Sequence, residues 1–127
     1  MKPGENIALK GEDVKKGETI LSKGIKLGPF QIAMLAALGF KKIRVRKKPL
    51  VGILSTGDEI VEPGKRLPIG KVYDANSYGL YSSVMRYGGE PLHLGIGRDD
   101  YRSLRKKIRL GLKNDILLIS GGVSEGA

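Results

Sequence analysis

The sequence predicts an α/β fold, a parallel sheet layered between helices, preceded by a small β-rich module. Three observations lead there. Apolar runs at Leu50–Ser55, Pro91–Ile96 and Asp115–Ile119 are separated by two stretches of helical length and period, the rhythm of right-handed parallel crossovers. The first run, Leu50-Val51-Gly52-Ile53-Leu54-Ser55, is almost wholly apolar, as suits a strand covered on both faces. The third run feeds Ser120-Gly121-Gly122-Val123-Ser124-Glu125-Gly126-Ala127, whose paired glycines let backbone N–H groups approach an anion and whose serines add hydroxyl donors.

Residues 1–48 form the predicted β-rich module. Gly4, Gly11, Gly17 and Gly24 punctuate short segments, Asn6–Leu9 and Glu18–Leu21, that read as strands joined by turns. One short helix follows: Pro29 suits its first turn, Ile32, Leu35, Ala36 and Leu38 give an apolar face, and Gly39 ends it. Ile43 and Val45 alternate with basic residues as in a strand with one solvated face. A module this small is expected to need a partner for its core.

Residues 49–127 form the predicted α/β domain. After the strand at Leu50–Ser55 and a long loop, a helix is expected to begin near Asn76 as N-cap, to present Leu80, Val84, Met85 and Tyr87, and to end at Gly88-Gly89. Pro91–Ile96 is the second strand. Asp99-Asp100 caps a helix over Tyr101–Leu112, in which Leu104, Ile108 and Leu112 face inward and the basic residues form the wet side. Asp115–Ile119 is the third strand, and the domain is expected to be truncated within its anion loop.

Composition narrows the functional classes. In 127 residues, 40% hydrophobic and 28% charged content describes a soluble globular chain. With no Cys and a single His, thiolate and histidine zinc sites are excluded. No apolar run reaches membrane-spanning length and the N-terminus lacks a signal-like apolar region, so a cytoplasmic setting without membrane contact is expected. The net charge of +10 suits phosphorylated ligands. Nucleic acid is not the expected partner, because five Tyr, two Phe and no Trp offer few stacking platforms.

Parallel sheets bind ligands beyond the carboxyl ends of their strands. Those ends carry Ser55-Thr56-Gly57-Asp58-Glu59, Gly97-Arg98-Asp99-Asp100 and the Ser-Gly-Gly loop. Carboxylates beside an anion loop imply a divalent cation between them, and hard oxygen ligands suit Mg²⁺. Each piece also has a plain structural use: Asp58 and Glu59 in a turn, Asp99 as an N-cap, Asp74-Ala75-Asn76-Ser77 as a helix start, His93 packed or hydrogen-bonded on the sheet.

In order and spacing, Leu54–Ile60, Pro63-Gly64, Asp74–Ser77, Leu94–Ile96 before Asp99-Asp100, and Ser120–Ser124 resemble the molybdopterin molybdotransferases, the MoeA/gephyrin E-domain family. The stretch from Asn6-Ile7-Ala8 through Gly11–Gly17 is similar to that family's β-rich segment, so the resemblance covers essentially the whole chain. It implies a three-layer molybdopterin-binding domain, and Mg²⁺-dependent insertion of molybdenum from molybdate into adenylated molybdopterin with release of AMP. Under that resemblance Ser120, Gly121, Gly122 and Ser124 belong to the pterin phosphate loop, and Thr56, Gly57, Asp74 and Asn76 to the same pocket. Glu59 and Asp99 match cleft carboxylates and would serve catalysis and the metal, with Asp58 as their catalytic neighbour. Complete enzymes of the family have further modules and a cleft between the subunits of a homodimer, so this polypeptide by itself is expected to be inactive. A non-catalytic scaffold or pterin-binding module of the same fold is the alternative. A third reading is the pterin-binding domain of an adenylyltransferase or nucleotide-processing protein, against which the β-rich residues 1–48 weigh.

Overall fold

The computed structural model describes residues 7–121. The chain divides into two compact units, residues 1–45 and 46–127. In the first, Pro29–Ala37 forms helix α1. Gly28 is its N-cap, with the Gly28 N–H donating to Gln31 Oε1 at 3.0 Å. Gly39 follows the last turn with φ +83°, as its expected stop role requires.

The strands expected within residues 1–48 are not present as paired strands among the described residues. Asn6–Leu9 begins outside them. Glu18–Leu21 and Ile43–Arg46 have no ladder neighbour, and local turns hold much of the backbone instead, as with Glu12 N–H to Leu9 O at 3.0 Å and Glu18 N–H to Lys15 O at 3.1 Å. The physical reason is that alternating apolar residues create a strand only when a second edge supplies hydrogen bonds. None of residues 7–45 is fully buried, so no local core recruits such an edge.

The second unit is ordered around β1 (Leu50–Thr56). Beyond it come short β2 (Ile60–Val61) and β3 (Val72–Tyr73), helix α2 (Ala75–Arg86), β4 (Glu90–Gly97), helix α3 (Tyr101–Gly111) and β5 (Ile116–Gly121). The main sheet is parallel in the order β4-β1-β5, and β2 pairs with β3 in a separate two-stranded ribbon. β1 is central, which explains its apolar run: Ile53 and Leu54 are fully buried and Val51 nearly so. Along a strand, side chains alternate between faces. Ser55 hydrogen-bonds to Asp74 at the start of α2, whereas Leu54 and Leu104 of α3 both approach Gly97 from the other face. The helices therefore cover opposite faces and the sheet is the middle of three layers.

Three details depart from expectation. The N-cap of α2 is Asp74, not Asn76, because Asp74 Oδ1 accepts the Ser77 N–H at 3.1 Å. Within α2, Leu80, Tyr81 and Val84 are half-buried, while Met85 and the C-cap residue Tyr87 are exposed. In β4 the register slips between the partners of Ile53 and Leu54, leaving Leu94 outside the ladder. Its carbonyl instead accepts from Lys107 Nζ at 2.5 Å, which draws one of the supposedly solvated cations of α3 down onto the sheet.

Candidate functional site

Register places the strand ends level with one another: Thr56 pairs with Gly97 on one side and with Gly121 on the other. At the β1–β5 side lies a pocket of about 280 Å³, lined by Ser55, Thr56, Glu59, Tyr73, Asp74, Asn76, Ser120 and Gly121, with Ile60, Val72 and Ala75 as apolar walls. Asn76 Nδ2 donates to Ser120 Oγ at 3.1 Å, tying the first turn of α2 to the end of β5. Gly121 is required here by crowding, since a Cβ on it would collide with Thr56 Oγ1. That close approach brings backbone and hydroxyl donors together at the mouth, a composition suited to an anion's oxygens.

The carboxylates of the pocket have different states. Asp74 is buried, and both its oxygens are engaged: Oδ2 accepts from Ser55 Oγ at 2.8 Å and Ser77 Oγ at 2.6 Å, and Oδ1 accepts the Ser77 amide. Burial pushes its pKa up, but hydrogen bonds from the Ser77 side chain and amide and from Ser55, with the nearby His93, outweigh it and hold the carboxyl below its ordinary value. Asp74 is thus committed to the protein. Glu59 is half-buried, and its carboxylate folds back against Gly57, whose φ of +139° and lack of a side chain leave room for it. Backbone bonding fixes the segment around it, with Val72 N–H donating to Glu59 O and Asp74 N–H to Val61 O, both at 2.9 Å.

Asp58 and Asp99 form a second cluster, on the β4 side of β1. The Asp58 N–H donates to Asp99 Oδ2 at 3.2 Å, and the Asp99 N–H to Asp58 Oδ1 at 3.4 Å. Arg98 Nη1 stands 3.8 Å from Asp58 Oδ1, and Lys71 Nζ donates to the Asp58 carbonyl at 3.0 Å. Asp99 is free to do this because Asp100, not Asp99, caps α3, accepting the Ser103 N–H at 2.8 Å. Lys71 escaped the sequence reading, and Ser55 and Ser77 stood within its motifs without a role of their own. Ser55 carried a signal, a hydroxyl at the end of an otherwise apolar strand, whereas nothing near Lys71 distinguished it. His93 packs as expected on the sheet, stacked on Tyr81 at 4.7 Å between ring centres and beside Tyr78 at 5.0 Å.

Gly122 and Ser124, expected in the phosphate loop, lie outside the described residues. Among the described residues no three His, Cys, Asp or Glu side chains gather as a ready-made metal cage. With Asp74 committed, Glu59 is the carboxylate at this pocket with oxygens to offer. Such a donor set fits a hard cation that takes one protein carboxylate and completes its shell from ligand phosphate and water, the usual manner of Mg²⁺.

A parallel sheet covered on both faces, with a donor-lined pocket beyond its strand ends, defines the class: a three-layer α/β domain with a polar cleft at the carboxyl ends of its strands. Residues 52–127 match the family described as "Probable molybdopterin binding domain", and residues 1–39 match "MoeA N-terminal region (domain I and II)". The chain belongs to this molybdopterin-binding family. It is 39% identical over 126 residues to the molybdopterin molybdenumtransferase of Haemophilus influenzae, covering 98% of this chain and 31% of that protein. With the enzyme of the same name from Bacillus subtilis it is 36% identical, covering 97% and 29%. Two crystal structures of a molybdopterin biosynthesis MoeA protein from Pyrococcus horikoshii superpose with TM-scores of 0.82 and 0.80. They are 42% and 38% identical, covering 88% and 94% of this chain and 29% and 32% of theirs. The chain thus spans about a third of the length of the relatives it matches.

Proposed function

We propose that the β1–β5 pocket receives the phosphate end of molybdopterin, and that the protein serves molybdenum cofactor biosynthesis as a molybdopterin molybdenumtransferase. The observation that carries the proposal is the level ending of β1 and β5, which gathers Thr56, Asn76, Ser120 and the Gly121 backbone around one opening. In this reading those groups bind the phosphate, and Gly122 and Ser124 extend the same loop. The substrates are molybdate and adenylated molybdopterin, and AMP is the leaving product. Glu59 is the residue that would hold Mg²⁺, and the ion would supply neutralisation of charge on the phosphoanhydride. Asp58 and Asp99 couple the β1 and β4 loops, so that the turn carrying Glu59 keeps its place. Gly57 lets the Glu59 carboxylate fold inward, and Asp74 holds the first turn of α2 so that Asn76 faces Ser120. A cytoplasmic homodimer is the assembly that accompanies this reading.

Isothermal titration of adenylated molybdopterin into the chain, with and without Mg²⁺, tests it. Asn76→Ala is expected to weaken binding about tenfold, the effect of losing one hydrogen bond to a charged group. Glu59→Gln is expected to abolish the gain from Mg²⁺ while leaving metal-free binding in place. Failure of the wild-type chain to bind overturns the proposal. A non-catalytic pterin-binding module is the second reading, favoured by the commitment of Asp74 and Asp99 to protein hydrogen bonds. Pterin binding without AMP release in the longer protein would select it.

A further inference from the structure

Helix α3 carries a feature that the pterin pocket does not use. Its outward side presents Arg102, Arg105, Lys106 and Arg109 as one stripe, continued by Lys113 in the turn past its end, with Tyr101 and Leu110 bordering the same shallow groove. At 100° per residue the six of these positions within α3 fall within half the helix circumference, opposite Leu104, Lys107 and Ile108, which turn toward the sheet. Among the described residues none of the five cations lies in an ion pair; the two that form join Lys65 to Glu62 and Arg98 to Asp58. Cations at i, i+3 and i+4 repel and weaken the helix that carries them. The stripe is therefore a standing cost to α3 that an anionic neighbour would relieve.

Two further features narrow the neighbour's identity. Tyr101 is 75% exposed and Leu110 48%, so the cationic stripe has apolar footholds as well as charge. The Arg105 guanidinium lies 5.8 Å from the centre of the Tyr101 ring, which steadies both side chains before anything docks. We infer that this face docks an acidic amphipathic helix of a protein partner. Such a helix repeats its carboxylates every three or four residues, at the same 1.5 Å rise that spaces the cations here, and its apolar side chains meet Tyr101 and Leu110. Single-stranded nucleic acid matches less well, because one tyrosine offers one stacking platform where successive bases need several. An anionic membrane matches less well too, since a cationic helix that lies on lipid pairs its charges with a continuous apolar face, and the other face of α3 is turned to its own sheet.

The test uses the whole chain and a fluorescein-labelled helical peptide with glutamates at i, i+4 and i+7 beside leucines. Its comparators are a scrambled peptide of the same composition, a thymidine oligonucleotide and phosphatidylglycerol vesicles. The patterned peptide is expected to bind about tenfold more tightly than the scrambled one. Arg102→Glu/Arg105→Glu/Arg109→Glu should remove binding, and Tyr101→Ser/Leu110→Ser should erase the preference for pattern while leaving residual, salt-sensitive attraction. Circular dichroism of each variant confirms that α3 is folded, and Arg105→Gln with Arg109→Gln repeats the test without charge reversal. Equal binding of the two peptides, or tighter binding of the oligonucleotide or the vesicles, overturns the inference. The measurement contains no pterin, so it stands or falls separately from the proposed activity.

Discussion

Replacing Asp74 by Ala removes one carboxylate and strands three donors. The Ser77 amide loses its cap acceptor, worth about 1 kcal/mol to a helix. The hydroxyls of Ser55 and Ser77 lose their acceptor at positions that are only 2% exposed, and each such loss costs about 1 kcal/mol once water enters the space left behind. The expected destabilisation is about 3 kcal/mol. All five tyrosines fall in the second unit, so urea unfolding followed by tyrosine fluorescence reads this unit alone. The same carboxylate sets a pH signature. Its pKa is held below the ordinary aspartate value of about 3.9, so its stabilising contribution is complete above that value and disappears as pH falls through the lower, folded-state pKa. Asp74→Asn, which keeps one acceptor, should cost less at neutral pH and lack this acid-side loss. A cost under about 1 kcal/mol for Asp74→Ala, or an unchanged acid limb in Asp74→Asn, would refute the reasoning.

Three other outcomes follow from the geometry. Ile53→Ala, at a fully buried position of the central strand, should lower stability by about 3 kcal/mol in the same urea assay. Gly121→Ala should destabilise by about 1–2 kcal/mol because its methyl would occupy the place of Thr56 Oγ1, and the double variant with Thr56→Ala should recover most of that loss in a double-mutant cycle. Asp100→Ala should cost about 1 kcal/mol and speed amide exchange in the first turn of α3, whereas Asp99→Ala should leave that turn protected and expose the Asp58 amide.

The three strands of the main sheet and helices α2 and α3 were readable because each carries its own signal, whereas the two-residue strands β2 and β3 lie in what reads as a long loop. A strand buried on both faces needs an unbroken apolar run, as Val51–Leu54 shows, and a helix start needs a short polar side chain. Which polar residue caps was not readable. Asp74 and Asn76, like Asp99 and Asp100, are near-equivalent by type, and only the backbone angles of the folded turn select one of each. Among the described residues, the strands expected in residues 1–48 are unpaired for a related reason: alternation records which face is wet, but a ladder requires an edge that local sequence does not encode.

By itself the sequence determined the β-α-β rhythm, the residues at the strand ends, and the family to which they belong, since these reside in periodicity and in motifs that lie contiguous along the chain. Tertiary structure alone decided how the strand-end residues are shared out. The order β4-β1-β5 sets β1 between its neighbours, so the Asp99 that follows β4 meets Asp58 on one side, while Ser120 and Gly121 of β5 meet Thr56 and Asn76 on the other. Strand order arises from packing helices on opposite faces of the sheet, a long-range condition that no short stretch of sequence carries.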